Sequence, residues 1–126
     1  MLKKLIPAVL VLGAAASQAG AHHSTAMFDA RKEVVLNGTV KQFQYTNPHS
    51  WIQVMVPGEG GQLVEWSIET SAPIVLLRAG IKPTALQPGE KVTVRAHPLK
   101  DGAPGGSLID VKKADGTLLS LRGQGE

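Results

Sequence analysis

Tyr45-Thr46-Asn47-Pro48-His49-Ser50-Trp51 decides the fold, because it separates the two most strand-like segments of the chain. Pro48 fixes its own φ and drives Asn47 out of helical space, so the stretch is a turn. His49 and Trp51 follow it at alternate positions and share a face once the chain is extended. Upstream, Glu33 to Tyr45 alternates. Val34, Leu36 and Val40 lie on one parity, then Phe43 and Tyr45 continue on the other. Such a one-residue slip is the mark of a β-bulge, and Gly38 permits a sharp bend. The spacing predicts a long, bent first strand. Downstream, Trp51 to Val56 is a second strand with Ile52, Val54 and Val56 on its apolar face.

The pattern continues outward. Pro57 to Gly61 is a turn, and Gln62 to Glu69 is a third strand with Val64, Trp66 and Ile68 inward. Thr70-Ser71 offers an N-cap and Pro73 suits a first helical turn, so Ile74 to Leu77 forms a short helix that Gly80 ends. Glu90 to His97 is a fourth strand with Val92, Val94 and Ala96 inward. Lys100 to Gly106 is a Gly/Pro-rich loop, and Ser107 to Lys113 a fifth strand with Ile109 and Val111 inward. Asp115-Gly116 is a turn before a short extra strand within Leu118 to Leu121, and 123–126 is a frayed end. The order β-β-β-α-β-β, with a bent first strand, predicts an all-β domain with one short helix. Its expected form is a small five-stranded OB-like Greek-key barrel. The alternative is a small β-sandwich.

The first segment stands apart. Lys3-Lys4 precede the apolar run Leu5 to Ala16, which falls short of the ~20 residues of a membrane span. Ala19-Gly20-Ala21 is a small-x-small cleavage site. Residues 1–21 therefore read as a secretory signal peptide, 22–32 as an N-terminal arm and 33–122 as the barrel domain. The expected location is the periplasm, with no membrane span after cleavage. Of 13 Lys and Arg against 10 Asp and Glu, cleavage removes Lys3 and Lys4 and leaves a formal charge of +1. A charge so near zero argues against nucleic acid as a partner. The chain has no Cys, which excludes disulfides, thiolate metal sites and Cys nucleophiles.

Two places carry candidate chemistry. The outward face of strands two and three is the usual ligand surface of this barrel class, and here it presents His49, Trp51, Gln53, Glu65 and Glu69. Pairing of Val56 near Gln62 would set His49 opposite Glu69 and Trp51 opposite Ser67. A Trp beside a His and carboxylates suits a small ligand or a periplasmic protein partner. The plainer alternative is that Trp51 covers the arm and His49 caps the turn. The second place is the N-terminus. Cleavage after Ala21 makes His22 the first residue, whose α-amine and imidazole chelate one metal ion. A second imidazole completes a nitrogen-rich Cu(II) site. Cleavage after Ala19 would give Gly20-Ala21-His22, another Cu(II)-chelating terminus. His23 adjoins it, and His97, expected where the arm leaves strand one, or His49, expected at that strand's far end, are the distant ligands.

No nucleophile elbow or phosphate loop is legible. Glu65 and Glu69 read as solvated face charges rather than a glycosidase pair. The function expected is a non-catalytic periplasmic binding domain around His49 and Trp51. The alternative is a copper-binding protein using His22, His23 and His97 or His49.

As a set, Ala21-His22-His23-Ser24, Phe28-Asp29, Asn37-Gly38-Thr39-Val40, Thr46-Asn47-Pro48-His49-x-Trp51, Trp66-Ser67, Arg78-Ala79-Gly80, Pro88-Gly89, His97-Pro98 and Gly105-Gly106-x-Leu108 resemble a family of small exported bacterial proteins. That family is catalogued as a domain of unknown function. The resemblance covers nearly all of the chain after the leader. It implies a periplasmic β-barrel-like domain and no assigned activity.

Overall fold

The alternating runs become strands where expected. The computed structural model describes residues 25–122. Residues 1–21, expected to be a leader, His22 and His23, and the chain end 123–126 lie outside the described residues. The strands are β1 (Val34–Gln44), β2 (Trp51–Pro57), β3 (Leu63–Glu69), β4 (Lys91–Pro98), β5 (Gly105–Lys113) and β6 (Leu118–Ser120), with one helix, α1 (Pro73–Arg78), between β3 and β4. β1 pairs with both β2 and β4, β4 with β5, and β5 returns parallel onto β3. Five strands thus close a barrel in the order of an OB fold, and β6 is added outside it on β5.

β1 pairs with β4 along its first half and with β2 along its second, and it bends between them. Its register against β2 shifts between Val40 and Gln42, which places the bulge at Lys41 and turns Phe43 toward the core. At Gly38, a Cβ would sit 2.5 Å from the Met55 carbonyl oxygen and 2.7 Å from Val54 Cγ1, so only glycine lets β2 pass so close. Inside lie Leu36, Val40, Ile52, Val54, Ile68, Leu86, Val92, Val94, Ala96 and Val111, all buried. At ~1.5–3 kcal/mol for each large apolar side chain, this burial drives the fold without disulfides.

The structure corrects four expectations in detail. Val56 pairs with Val64 and Trp51 with Glu69, two residues away from the expected register. β2 runs on to Pro57, and the turn tightens into the 3-10 segment Glu59–Gly61, where Gly58 N–H donates to Gln62 O at 2.7 Å. A shift of two keeps every side chain on its face. On β5, Leu108 rather than Ile109 packs on the core, because a register break between Arg95 and Ala96 bulges Ile109. β5 also begins at Gly105, within the expected loop. The helix N-cap is Ala72, with no side-chain cap, since Thr70 is still engaged with the strand end: its N–H donates to Ser50 O.

The end of α1 follows its sequence signal. Gly80 has φ 78°, its N–H donates to Leu77 O, and Ile81 N–H reaches back to Leu76 O at 2.8 Å, which is a Schellman motif. Tyr45 then clamps the helix: its hydroxyl lies 3.1 Å from Pro73 O and 2.9 Å from Ile81 O, so its one O–H is shared between the two carbonyls. Burial raises the Tyr45 pKa, so the phenol stays a donor. Its ring meets Phe43 edge-on, centroids 5.5 Å apart. Among the described residues, no helix is long and apolar enough to cross a membrane.

Candidate functional site

One row of paired residues runs around the outside of the barrel at the end where β3 stops. Gln44 pairs with Trp51, Trp51 with Glu69, Glu69 with Ser107, and Ser107 with His97. Paired residues point to the same face, so these five side chains share the outer surface. Trp51 is half-buried there, not an exposed platform.

The turn before β2 is tied to itself. Thr46 N–H donates to Ser50 Oγ at 3.2 Å and Thr46 Oγ1 donates to His49 O at 2.8 Å. Ser50 is fully buried, its N–H donating to Ser71 O at 3.0 Å. The Asn47–Pro48 peptide is cis. This loop holds His49 against the row, and its Nδ1 lies 2.6 Å from Glu69 Oε1. The expected neighbourhood of His49 and Glu69 is therefore present, reached diagonally rather than by direct pairing.

Glu69 is not a solvated face charge. It is only 8% exposed, and its other oxygen, Oε2, is buried with no hydrogen-bond partner, as is Thr70 Oγ1. Each such atom costs about 1–3 kcal/mol relative to a satisfied one, so two together at one site call for an explanation. They sit beside a recess of about 260 Å³ lined by Phe28, His49, Glu69, Ser107, Leu108 and Leu121 among others.

The arm forms one wall of that recess. Phe28 makes a β-bridge with Leu99, Asp29 N–H donates to Pro98 O at 2.8 Å, and Lys100 N–H donates to Met27 O at 2.9 Å. Asp29 is itself buried, and its carboxylate accepts Arg31 N–H and Arg31 Nε–H. The Arg31 backbone hydrogen bond, followed by its side-chain bond and charge, holds the Asp29 pKa below the usual carboxylate range against the opposing effect of burial. The arm thus leaves the barrel near His97, as expected. However, it also runs beside His49, which the sequence placed at the far end of β1. Closure of the barrel makes the link, because Glu69 pairs with Ser107 and Ser107 with His97, and Phe28 and His49 line one recess.

The remaining candidates divide. Gln53 is held within the face: Ser67 Oγ donates to its Oε1 at 2.7 Å and its Nε2 donates to Gln44 Oε1 at 3.0 Å. Glu65, two positions along from Ser67, is paired with Lys41 and stands away from the recess. His97 Nδ1–H donates to Lys32 O at 2.8 Å. Because a carbonyl only accepts, neutral His97 carries its proton on Nδ1, which leaves Nε2 as the ring's acceptor nitrogen. His97 is separated from Glu69 by one strand, or ~10 Å across two strand spacings. No group of three or more His, Asp or Glu side chains suited to a metal occurs among the described residues. Sequence reasoning missed the burial of Glu69 and the anchoring role of Phe28 and Asp29. The signals for the latter were an apolar residue inside a polar arm and the place of Phe28-Asp29 among the family-like motifs.

Residues 9–108 match the model of a family described as a family of unknown function (DUF6152). Neither a curated protein nor a solved structure matches the chain.

Proposed function

The chain belongs to the DUF6152 family, a family of unknown function, and from that premise we propose that it is an exported, non-catalytic binding domain. Its ligand site is the recess between the arm and the barrel end. The observation that carries this reading is the Glu69 carboxylate, nine-tenths buried, with one oxygen on His49 and the other without a partner. Buried acceptors at a recess favour a ligand group that donates hydrogen bonds, and Phe28, Leu108 and Leu121 supply an apolar wall for its body. Trp51, half-buried next to Glu69, flanks the site rather than forming a platform. Export rests on the leader, with the periplasm as destination. Native mass spectrometry of the processed protein tests the reading: wild type carries a bound species that Glu69→Gln does not.

A second reading is favoured by the path of the arm. His22 and His23 lie six and five residues before Phe28, within ~20 Å of it at full extension. A processed N-terminal His22, with His23 and either His49 or His97, would form a Cu(II) site at the same end of the barrel. His49 and His97 each have Nδ1 engaged, by Glu69 and by the Lys32 carbonyl, the arrangement that orients imidazole ligands toward a metal through Nε2. Calorimetric titration with Cu(II) is expected to show affinity at least about tenfold weaker when one extra residue precedes His22, since the free α-amine is then displaced. Equal affinity for both forms would end this reading.

A further inference from the structure

A second concavity lies at the opposite end of the barrel, on the outer face, with a volume of about 510 Å³. That is within the range of small-molecule sites, at ~300–1,000 Å³. Its two sides differ in character. On one side are Met55, Pro57 and Leu63, and Leu63 is 63% exposed, the highest value among the large apolar side chains described. On the other side are Lys91, Lys112 and Lys113. Pairing sets Lys91 opposite Thr39, Thr39 opposite Met55, and Lys112 opposite Thr93, so these side chains share the outer face.

The charges facing this groove are not balanced. Glu90 is the carboxylate on Lys113, at 3.1 Å, and Glu65, opposite Met55, is taken by Lys41. Lys91 and Lys112 have no carboxylate partner among the described residues. Between them, Asn37 Oδ1 accepts Thr93 Oγ1–H at 2.9 Å, which leaves the Asn37 amide hydrogens as further donors. The groove therefore combines two uncompensated ammonium groups, an amide donor and an apolar wall.

We propose that this groove binds an anionic amphiphile, a single carboxylate or phosphate head on an apolar chain. The head sits between Lys91 and Lys112, within reach of Asn37, and the chain lies along Met55, Pro57 and Leu63. This site is separate from the recess at His49 and does not depend on it.

Calorimetric titration with decanoate, decyl phosphate, decyltrimethylammonium and acetate tests the proposal. Decanoate or decyl phosphate is expected to bind with a Kd below about 1 mM, and the one that binds more tightly identifies the head group. K91Q/K112Q is expected to weaken that binding at least about tenfold by removing two charge-assisted contacts. L63S is expected to weaken it as well, and E69Q to leave it unchanged. Thermal melts check that the three variants are folded; K91Q/K112Q and L63S replace exposed side chains. Four results would overturn the proposal: no saturable binding of either anion, equal binding of decyltrimethylammonium, equal binding of acetate, or affinity for the tighter-binding anion unchanged in folded K91Q/K112Q.

Discussion

Gly106→Ala is expected to destabilise the domain by about 2–4 kcal/mol, a fall of roughly 10–25 °C in melting temperature for a domain of this size. Gly106 is buried in the first turn of pairing on β5, between β4 and β3. A Cβ there would stand 2.7 Å from His97 O and 3.1 Å from Ala96 Cβ. The first contact is with backbone, which yields only if β4 moves. Movement of β4 breaks the β4–β5 ladder, while movement of β5 opens the parallel β3–β5 seam that closes the barrel. Gly105 is similarly confined, with Leu99 Cδ1 at 2.8 Å and Ser67 O at 3.2 Å from its would-be Cβ. There, however, the nearer atom is the tip of a side chain that turns more cheaply, so Gly106 is the more sensitive of the two. Thermal unfolding followed by circular dichroism measures the effect. Melting within a few degrees of wild type would show that closure does not depend on this approach.

His49→Ala is expected to cost about 1–3 kcal/mol. Loss of the 2.6 Å contact would leave both oxygens of a carboxylate whose side chain is only 10% exposed without the partner the fold provides. A fully buried pair broken in this way costs more, ~3–5 kcal/mol, but the His49 side chain is 38% exposed and water enters once it is gone. Glu69→Gln on the His49→Ala background should recover part of the loss, because a neutral amide is cheaper to leave unpaired than a carboxylate. Urea denaturation of the two single variants and the double variant closes the cycle, with a coupling of about 1–2 kcal/mol expected. Additivity within error would mean that His49 and Glu69 do not act as a pair.

Much of this architecture is visible in local sequence, for physical reasons that can be named. Period-two apolar spacing marks the core face of each strand, because burial is what fixes strand orientation. The parity slip around Lys41 reveals the bulge, and Gly80 reveals the helix end. What is hidden are the features set by distant partners. Gly105-Gly106 look like a loop in isolation and become strand only because β3 arrives beside them. The Ile109 bulge depends on β4, and the register of β2 against β3 on how tightly residues 58–62 turn.

The site divides in the same way. That His49 and Glu69 share a neighbourhood follows from strand parity, even with the register two residues off. That Glu69 is buried does not, because its cover comes from other parts of the chain, including His49 and the arm at Phe28. A glutamate on the outward parity of a strand ordinarily faces water, and nothing near residue 69 says otherwise. Tyr45 is a further example. Only the fold reveals that this single tyrosine joins the end of β1 to both ends of α1.

The central claim is that the recess at His49 and Glu69 is where the protein binds. Native mass spectrometry of the protein expressed with its leader and recovered after export tests it most directly, with wild type measured beside Glu69→Gln. The account predicts a chain beginning at His22, or at Gly20 if cleavage follows Ala19, carrying a bound species in wild type and bare in the variant. A wild-type chain with no bound species, or the same species at the same occupancy on both proteins, would contradict it.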